Sequence, residues 1–335
     1  MDENNETVTT TEPSRPSLGG ERLQIGSVLL AVAFIFLFTA VTQVILDAII
    51  SAVAPALAAA DWYAWMLAAV PMYLVAMPLS LILFLLGRST PPQKKEPLSL
   101  PMMLGLVAIC FALTYLGSFL GAAVNVIIGA ITGKMPENSL NTMTASAPLW
   151  ANLLFVGILA PVMEEIFFRK LVIDRLRRYG DAFAMLSSGV IFGLIHGNFY
   201  QFFYATAMGI IFGYIYLRTG RIRDTILLHA SINLVGGVYT SEMLKLLDEA
   251  LLEQNPVAAM LESPAGATML SLYLSFVLLC LIGAVAAAIP LYRHWIREHR
   301  FAPAARKLDA REWVRVTLCN PAIYVFLVFV IFMFL

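Results

Sequence analysis

Two adjacent glutamates, Glu164 and Glu165, lie inside an otherwise apolar stretch, with Arg169 one helical turn later. An ionisable side chain at bilayer depth costs about 2.5–3.5 kcal/mol on insertion scales, so such groups mark functional sites. On a helix, positions i and i+4 share a face, whereas adjacent positions point about 100° apart. The spacing therefore predicts that Glu165 pairs with Arg169, while Glu164 meets only Phe168 and remains available as a base.

Two histidines and an asparagine place further polar groups in apolar helices downstream. His196 follows Phe192 by one helical turn, and Asn233 follows His229 by one turn. A polar side chain in an apolar helix must find a hydrogen-bond partner. A single membrane histidine is more often a contact between helices than a site. Together with Glu164, however, these groups form a polar set on three helices, which predicts an intramembrane peptidase with Glu164 as its base.

The composition excludes an ordinary soluble domain. The 335 residues are 60% hydrophobic and 13% charged, whereas soluble domains carry about 25% charged residues. Several apolar stretches reach the length of roughly 20 residues that spans a bilayer. We therefore predict an all-α fold, a polytopic membrane bundle of about eight to nine transmembrane helices. The predicted helices are 24–50, 63–86, 102–131, 149–176, 182–199, 201–218, 224–240, 267–291 and 316–335.

Basic residues fall on alternate connections of this layout. Of the 22 Lys and Arg residues, all but Lys134 and Lys245 lie on one side. The positive-inside rule assigns that side to the cytoplasm and places the N-terminus there. We expect an integral multi-pass protein of the bacterial plasma (inner) membrane. His294 and His299 lie in a basic connection and are expected to be solvated.

Five regions follow from this layout. We predict a disordered cytoplasmic tail (1–23), N-terminal transmembrane helices (24–145), catalytic helices (146–240), an outer amphipathic connector (241–266) and C-terminal transmembrane helices (267–335). Glycines at every fourth position, Gly189, Gly193 and Gly197, with Gly209 and Gly213 on the next helix, predict close packing of the fifth and sixth helices.

Three motifs together resemble a known family. Glu164-Glu165-x-x-x-Arg169, Phe192-x-x-x-His196 and His229-x-x-x-Asn233 occur in this order on separate predicted helices. They are similar to the signature of the CPBP family, the CAAX protease and bacteriocin-processing (Abi) proteins, which includes the type II CAAX prenyl endopeptidases. The resemblance covers about residues 149–240, and elsewhere the chain matches only as generic membrane helices.

The resemblance implies a conical cavity that opens to the cytoplasmic side and peptide hydrolysis within the membrane. It implies that Glu164 activates water with help from His196. His229 and Asn233 would stabilise the tetrahedral oxyanion. The Glu165–Arg169 pair would hold the helix, and Phe192 would support the site.

Some questions stay open at this level. Members of the family are often labelled metallopeptidases, and Glu164, His196 and His229 could bind zinc; the zinc-binding HExxH pattern is absent, and a metal-free glutamate mechanism needs the same residues. The expected partners are the lipid bilayer and a membrane-associated or lipidated protein substrate, with no nucleic acid. Two other functions compete: a non-catalytic membrane scaffold or immunity protein, and a proton-coupled transporter, although no internal symmetry of paired halves is visible.

Overall fold

The described chain is mainly helical. In the computed structural model the described residues are 18–95, 97–245, 261, 264–293, 297 and 301–334, and they contain no β-strand. The long helices, in chain order, are α1 (Gly19–Val53), α2 (Tyr63–Phe84), α3 (Leu100–Thr132), α4 (Leu149–Tyr179), α5 (Asp181–Leu194), α6 (Phe199–Thr219), α7 (Ile222–Ile232, continued by Asn233–Tyr239 and Thr240–Leu244), α8 (Pro264–Leu291), α9 (Ala310–Val316) and α10 (Pro321–Phe334). The all-α prediction is confirmed.

Helices α1 to α8 correspond to the first eight predicted helices, and α10 corresponds to the ninth, 316–335. Helix α9 precedes the ninth predicted helix and shares only Val316 with it. A short helix, Ser139–Ser146, lies between α3 and α4 and is called the mouth helix below. The predicted disordered tail is described only for residues 18–23, and of these residues 19–23 belong to α1. Most of the predicted outer connector, and both His294 and His299, lie outside the described residues.

Fewer helices qualify as membrane spans than predicted. Within the described chain, α1, α2, α3, α4 and α8 are long and apolar enough to cross a bilayer, and α9 with α10 would form a sixth span bent by 63°. The difference arises at α5, α6 and α7, because α5 has only 14 residues and the other two are more polar. These three helices pack on longer neighbours instead: α5 on α6, α6 on α3, and α7 on α4.

One end of the bundle carries the basic connections and is called the basic end below. Here α1 begins, α2, α4 and α6 end, and α3, α5 and α7 begin. The Gln24 amide donates to the carbonyls of Arg88 and Arg175, each at 2.9 Å. The Glu21 carboxylate accepts from Arg178 at 2.9 Å. These contacts hold α1, the α2–α3 connection and the end of α4 together.

The opposite end, called the far end, contains the mouth helix. The Asn152 amide, near the start of α4, donates to the Thr144 carbonyl at 2.9 Å and to the Glu242 carboxylate at 3.1 Å. Lys245 pairs with Glu242 at 2.8 Å. Asn152 therefore ties α4 to both the mouth helix and α7 by buried or partly buried polar contacts.

Helices α5 and α6 approach closely through glycine, as predicted. A Cβ atom added at Gly209 would lie 2.9 Å from the Gly189 Cα, a distance at which one helix must move. The prediction that α5 continues to residue 199 is wrong, because it ends at Leu194. Gly197 has φ +65°, a left-handed conformation that favours glycine, and so belongs to a turn rather than to the packed face. His196 consequently lies in this turn.

Candidate active site

Helix α4 changes its winding on both sides of the two glutamates. Residues Leu153–Leu159 and Ile166–Ile173 form wide π-helical turns, and the α-helical segment Ala160–Glu165 lies between them. Pro161 has no amide hydrogen and cannot complete the regular hydrogen-bond pattern. Such π-turns inside helices are frequent at functional sites. The winding thus rotates Glu164 and Glu165 relative to a uniform helix.

Glu165 and Arg169 form the predicted pair. Arg169 Nε donates to Glu165 Oε2 at 2.8 Å, and a second guanidinium nitrogen donates to Oε1 at 3.2 Å. The remaining Arg169 nitrogen donates to Ser188 Oγ at 3.1 Å and to the Gly209 carbonyl at 3.2 Å. Both charged side chains are fully buried. The pair therefore ties α4 to α5 and α6.

His229 lies between the two glutamates, a contact that helix spacing did not predict. Its Nδ1 donates to Glu165 Oε1 at 3.2 Å, and its Nε2 lies 3.9 Å from Glu164 Oε2. Glu165 therefore orients this imidazole as well as pairing with Arg169. The contact joins residues 64 positions apart, so no local pattern in the sequence could have revealed it.

Glu164 has a partner that the sequence reasoning missed. The Tyr73 hydroxyl on α2 donates to Glu164 Oε1 at 2.8 Å, so the expectation that Glu164 meets only Phe168 is wrong. Glu164 is 8% exposed, and its exposed surface borders a cavity. The available signal was a tyrosine in the middle of an apolar span, whose hydroxyl needs a buried partner.

His196 is held by its own backbone turn. Its Nδ1 lies 2.7 Å from the Phe192 carbonyl oxygen, which only accepts, so Nδ1 carries the hydrogen. In the neutral ring, Nε2 is then the nitrogen that accepts a hydrogen bond or a proton. The Phe192 ring lies edge-on to both imidazoles, with centroids 5.0 Å from His196 and 5.8 Å from His229. Phe192 thus packs against both histidines.

Asn233 lies at the first position of the π-helical part of α7. Its side-chain nitrogen donates to the Val156 carbonyl on α4 at 3.0 Å. One of its two amide hydrogens is used in this contact, and the other remains for a ligand in the cavity. The predicted site residue is therefore also a bond between α4 and α7.

A cavity of about 840 Å³ brings these groups together. This volume is within the range of roughly 300–1,000 Å³ typical of ligand sites. The four predicted catalytic residues, Glu164, His196, His229 and Asn233, all contribute to its wall, and so does Phe192. Glu165 and Arg169 lie behind the wall. Aromatic side chains supply much of the remaining surface: Trp65, Phe111, Tyr115, Tyr200, Tyr204 and Tyr273.

Comparison with known proteins identifies a family model that matches part of the chain. Residues 146–235 match the family model described as type II CAAX prenyl endopeptidase Rce1-like. This segment is similar to the Rce1-like family. It contains all seven motif residues and much of the cavity wall. The resemblance predicted from the three motifs is thereby confirmed, and the chain is an integral membrane protein.

Three relatives match parts of the chain. "Putative membrane peptidase YdiL" of Bacillus subtilis (strain 168) is 33% identical over 102 residues, 30% of this chain and 42% of that protein. "UPF0177 protein YxdF" of Lactococcus lactis subsp. lactis (strain IL1403) is 26% identical over 147 residues, 44% of this chain and 77% of that protein. "UPF0177 protein YbdJ" of the same strain is 30% identical over 105 residues, 30% of this chain and 45% of that protein. No solved structure matches.

The side chains proposed as zinc ligands are not arranged around a common position. Within residues that the structure describes, no group of three or more His, Cys, Asp or Glu side chains could hold a metal ion. Nδ1 of His196 contacts a backbone carbonyl and Nδ1 of His229 contacts a carboxylate, as the second ring nitrogen of a metal-binding histidine does. Their outer nitrogens and the Glu164 carboxylate nevertheless do not converge as a zinc site requires. We therefore derive no step through a metal.

Proposed function

We propose that this chain is an intramembrane endopeptidase that hydrolyses a peptide bond of a membrane-associated protein, with Glu164 as the general base. The observation that carries the proposal is the position of Glu164, whose carboxylate borders the cavity and lies 3.9 Å from His229 Nε2. That distance is too long for a direct hydrogen bond and suits one bridging water. The Rce1-like match supports the same reaction class.

In the proposed reaction, Glu164 takes a proton from this water as its oxygen attacks the carbonyl carbon of the substrate. The second O–H of the water donates a hydrogen bond to His196 Nε2, which fixes the orientation of the water, and this hydrogen stays on the attacking oxygen. The proton on Glu164 then passes to the amine nitrogen as the C–N bond breaks, so the carboxylate is restored. General acid–base catalysis of this kind contributes about 10²–10⁴-fold.

Two donors stabilise the oxyanion of the tetrahedral intermediate in this proposal. Asn233 supplies the amide hydrogen that does not bind the Val156 carbonyl. His229, which Glu165 orients through Nδ1, supplies Nε2–H as the second donor, so its ring carries hydrogens on both nitrogens in this step. An oxyanion donor is worth about 2.7–4 kcal/mol of transition-state stabilisation.

The test maps protein termini in membranes of the native host that lack this chain and are complemented with wild type or with Glu164→Gln. We expect at least one new terminus with wild type that is absent with Glu164→Gln. Glu137→Gln is the matched control, because Glu137 is exposed and lies outside the cavity wall. Identical termini in all strains, with the variants present at equal amounts, would contradict peptidase activity and favour a scaffold that only binds.

A further inference from the structure

The cavity lies entirely in the middle and far-end parts of the bundle. Every described helix that borders it does so through residues away from the basic end. The bordering residues fall within 65–73 of α2, 111–118 of α3, 155–164 of α4, 192–196 around the end of α5, 200–208 of α6 and 229–241 of α7, with Lys245 just after α7 and Tyr273 on α8. The mouth helix borders it too, through residues 139–145. No residue of the basic connections contributes to the wall.

Packed side chains fill the bundle between Glu164 and the basic end. Phe167, Phe168 and Arg169 follow Glu164 on α4 and are at most 2% exposed. The rings of Phe84 and Phe167 pack edge-to-face with centroids 5.2 Å apart. Phe168 packs in the same way on Phe192, at 5.0 Å. A substrate that reached Glu164 from the basic end would have to displace this aromatic layer and the Arg169 pair.

The charge pattern assigns the two ends to opposite sides of the membrane. In the predicted layout, all but two of the 22 Lys and Arg residues fall in or next to the connections of the basic end, among them Arg169, which lies within α4. The two exceptions, Lys134 and Lys245, lie at the far end. Because cytoplasmic connections carry the excess of Lys and Arg, the far end is the extracytoplasmic side. The cavity therefore faces away from the cytoplasm, opposite to the opening that the family resemblance implied.

We propose that substrate enters the cavity from the extracytoplasmic side and that the scissile bond lies in the extracytoplasmic juxtamembrane segment of a membrane-anchored protein. The statement about the scissile bond rests on the proposed peptidase activity, whereas the statement about access does not.

The chemistry of the cavity agrees with a peptide segment of low charge. Its outer rim carries small polar side chains, including Asn138, Ser139 and Ser241. The one ion pair described there, Lys245 with Glu242, is internally neutral. Deeper in the cavity, Tyr204 and Tyr273 offer aromatic surface beside the catalytic groups. Such a surface binds a peptide backbone and apolar side chains more favourably than it binds charged side chains.

Thiol labelling tests the direction of access without any substrate. Cys319 is exposed and lies at the basic end, where its carbonyl accepts from Arg22, whereas Cys110 and Cys280 are buried. The native chain therefore carries a basic-end reference thiol. In a Cys319→Ser background, Ser139→Cys and Ala145→Cys each place one thiol on the exposed, cavity-facing part of the mouth helix. Neither position belongs to the proposed catalytic groups.

A membrane-impermeant maleimide is applied to intact spheroplasts and to inverted vesicles. We expect both mouth-helix thiols to react in spheroplasts and not in sealed inverted vesicles, and Cys319 to show the reverse pattern. Labelling of the mouth-helix thiols in inverted vesicles, or of neither in spheroplasts, would overturn the inference. If the labelling is as expected but no terminus depends on Glu164, the access side stands and the peptidase proposal fails.

The side of the scissile bond is read from the mapped termini themselves. We expect every terminus that depends on Glu164 to lie in an extracytoplasmic segment close to a membrane anchor. A dependent terminus in a cytoplasmic segment would contradict the proposed substrate class while leaving peptidase activity intact. If the dependent termini are extracytoplasmic but the mouth-helix thiols react in inverted vesicles, only the proposed access route is contradicted.

Discussion

Glu165 is fully buried and its carboxylate accepts from Arg169 and His229, whereas Glu164, its neighbour in the chain, borders a cavity and accepts from the single hydroxyl of Tyr73. The described hydrogen bonds of Glu165 and Arg169 are all made to other protein groups. Around Glu164, Oε2 and the outer nitrogens of two imidazoles face the cavity side. A buried network in which every polar group has a hydrogen-bond partner supports stability. Polar groups beside a cavity that still have a free hydrogen-bonding position are able to react.

The largest effect on the cleavage rate is expected at Glu164, because the proposed reaction uses its carboxylate as the base. Glu164→Gln keeps the shape of the side chain and its bond from Tyr73 but cannot take a proton. We expect the rate of peptide cleavage to fall by about 10²–10⁴-fold, with the midpoint of thermal unfolding in detergent unchanged. Cleavage at the wild-type rate would remove Glu164 from the proposed reaction.

Glu165→Leu removes the carboxylate that pairs with Arg169 and His229. It leaves the buried Arg169 charge without its carboxylate, which costs about 3–5 kcal/mol of stability. We expect a large loss of folded protein, measured by fluorescence-detected gel filtration and thermal unfolding. The double variant Glu165→Leu with Arg169→Met removes both charges and should recover much of that stability. Equal stability of the single and double variants would show that Arg169 is not stranded.

Asn233→Ala should change both stability and cleavage, because the Asn233 side chain bonds to the Val156 carbonyl and also borders the cavity. It loses one partly buried bond to the Val156 carbonyl, worth about 0.5–1.5 kcal/mol of stability. It also loses a proposed oxyanion donor, so the cleavage rate should fall by about 10²-fold. The two effects are measured separately, by unfolding and by the rate per folded molecule. A rate that falls only in proportion to the folded fraction would limit Asn233 to helix packing.

Tyr73→Phe should have the smallest effect. It removes one hydrogen bond to the Glu164 carboxylate and leaves the ring packing in place. Because a hydrogen bond to a charged group contributes about 1.5–3 kcal/mol, we expect misplacement of the carboxylate and a rate lowered by about 10-fold. Trp65→Phe is a control on the same helix and the same cavity wall, without contact to Glu164. Equal rates for Tyr73→Phe and wild type would assign Tyr73 to packing.

Local patterns in the sequence predicted the helices and part of the site. The Glu165–Arg169 pair follows from helical spacing alone, and the described helices follow the apolar stretches. The contacts of Tyr73 with Glu164 and of His229 with Glu165 join residues 91 and 64 positions apart. They depend on how the helices pack, which spacing does not specify. The π-helical turns of α4 and the end of α5 at Leu194 likewise reflect local winding that apolar periodicity does not encode.

The direction of the cavity could not be predicted from motif residues either. The three motifs give the spacing of the polar residues along their helices but do not indicate which side of Glu164 is filled by other side chains. The packing of Phe167 and Phe168 closes the basic-end side of Glu164. The position of a residue along a helix therefore does not determine the side from which a site is reached.

Heavy-oxygen water provides the most direct test of the central claim, that Glu164 activates water to hydrolyse a peptide bond in this cavity. The purified chain in lipid vesicles is incubated, in that water, with a peptide spanning a terminus that depends on it. We predict one heavy oxygen in the new carboxyl group with wild type and with Glu137→Gln, and product formation about 10²–10⁴-fold slower with Glu164→Gln. A product without heavy oxygen, or equal incorporation with Glu164→Gln, would contradict the account.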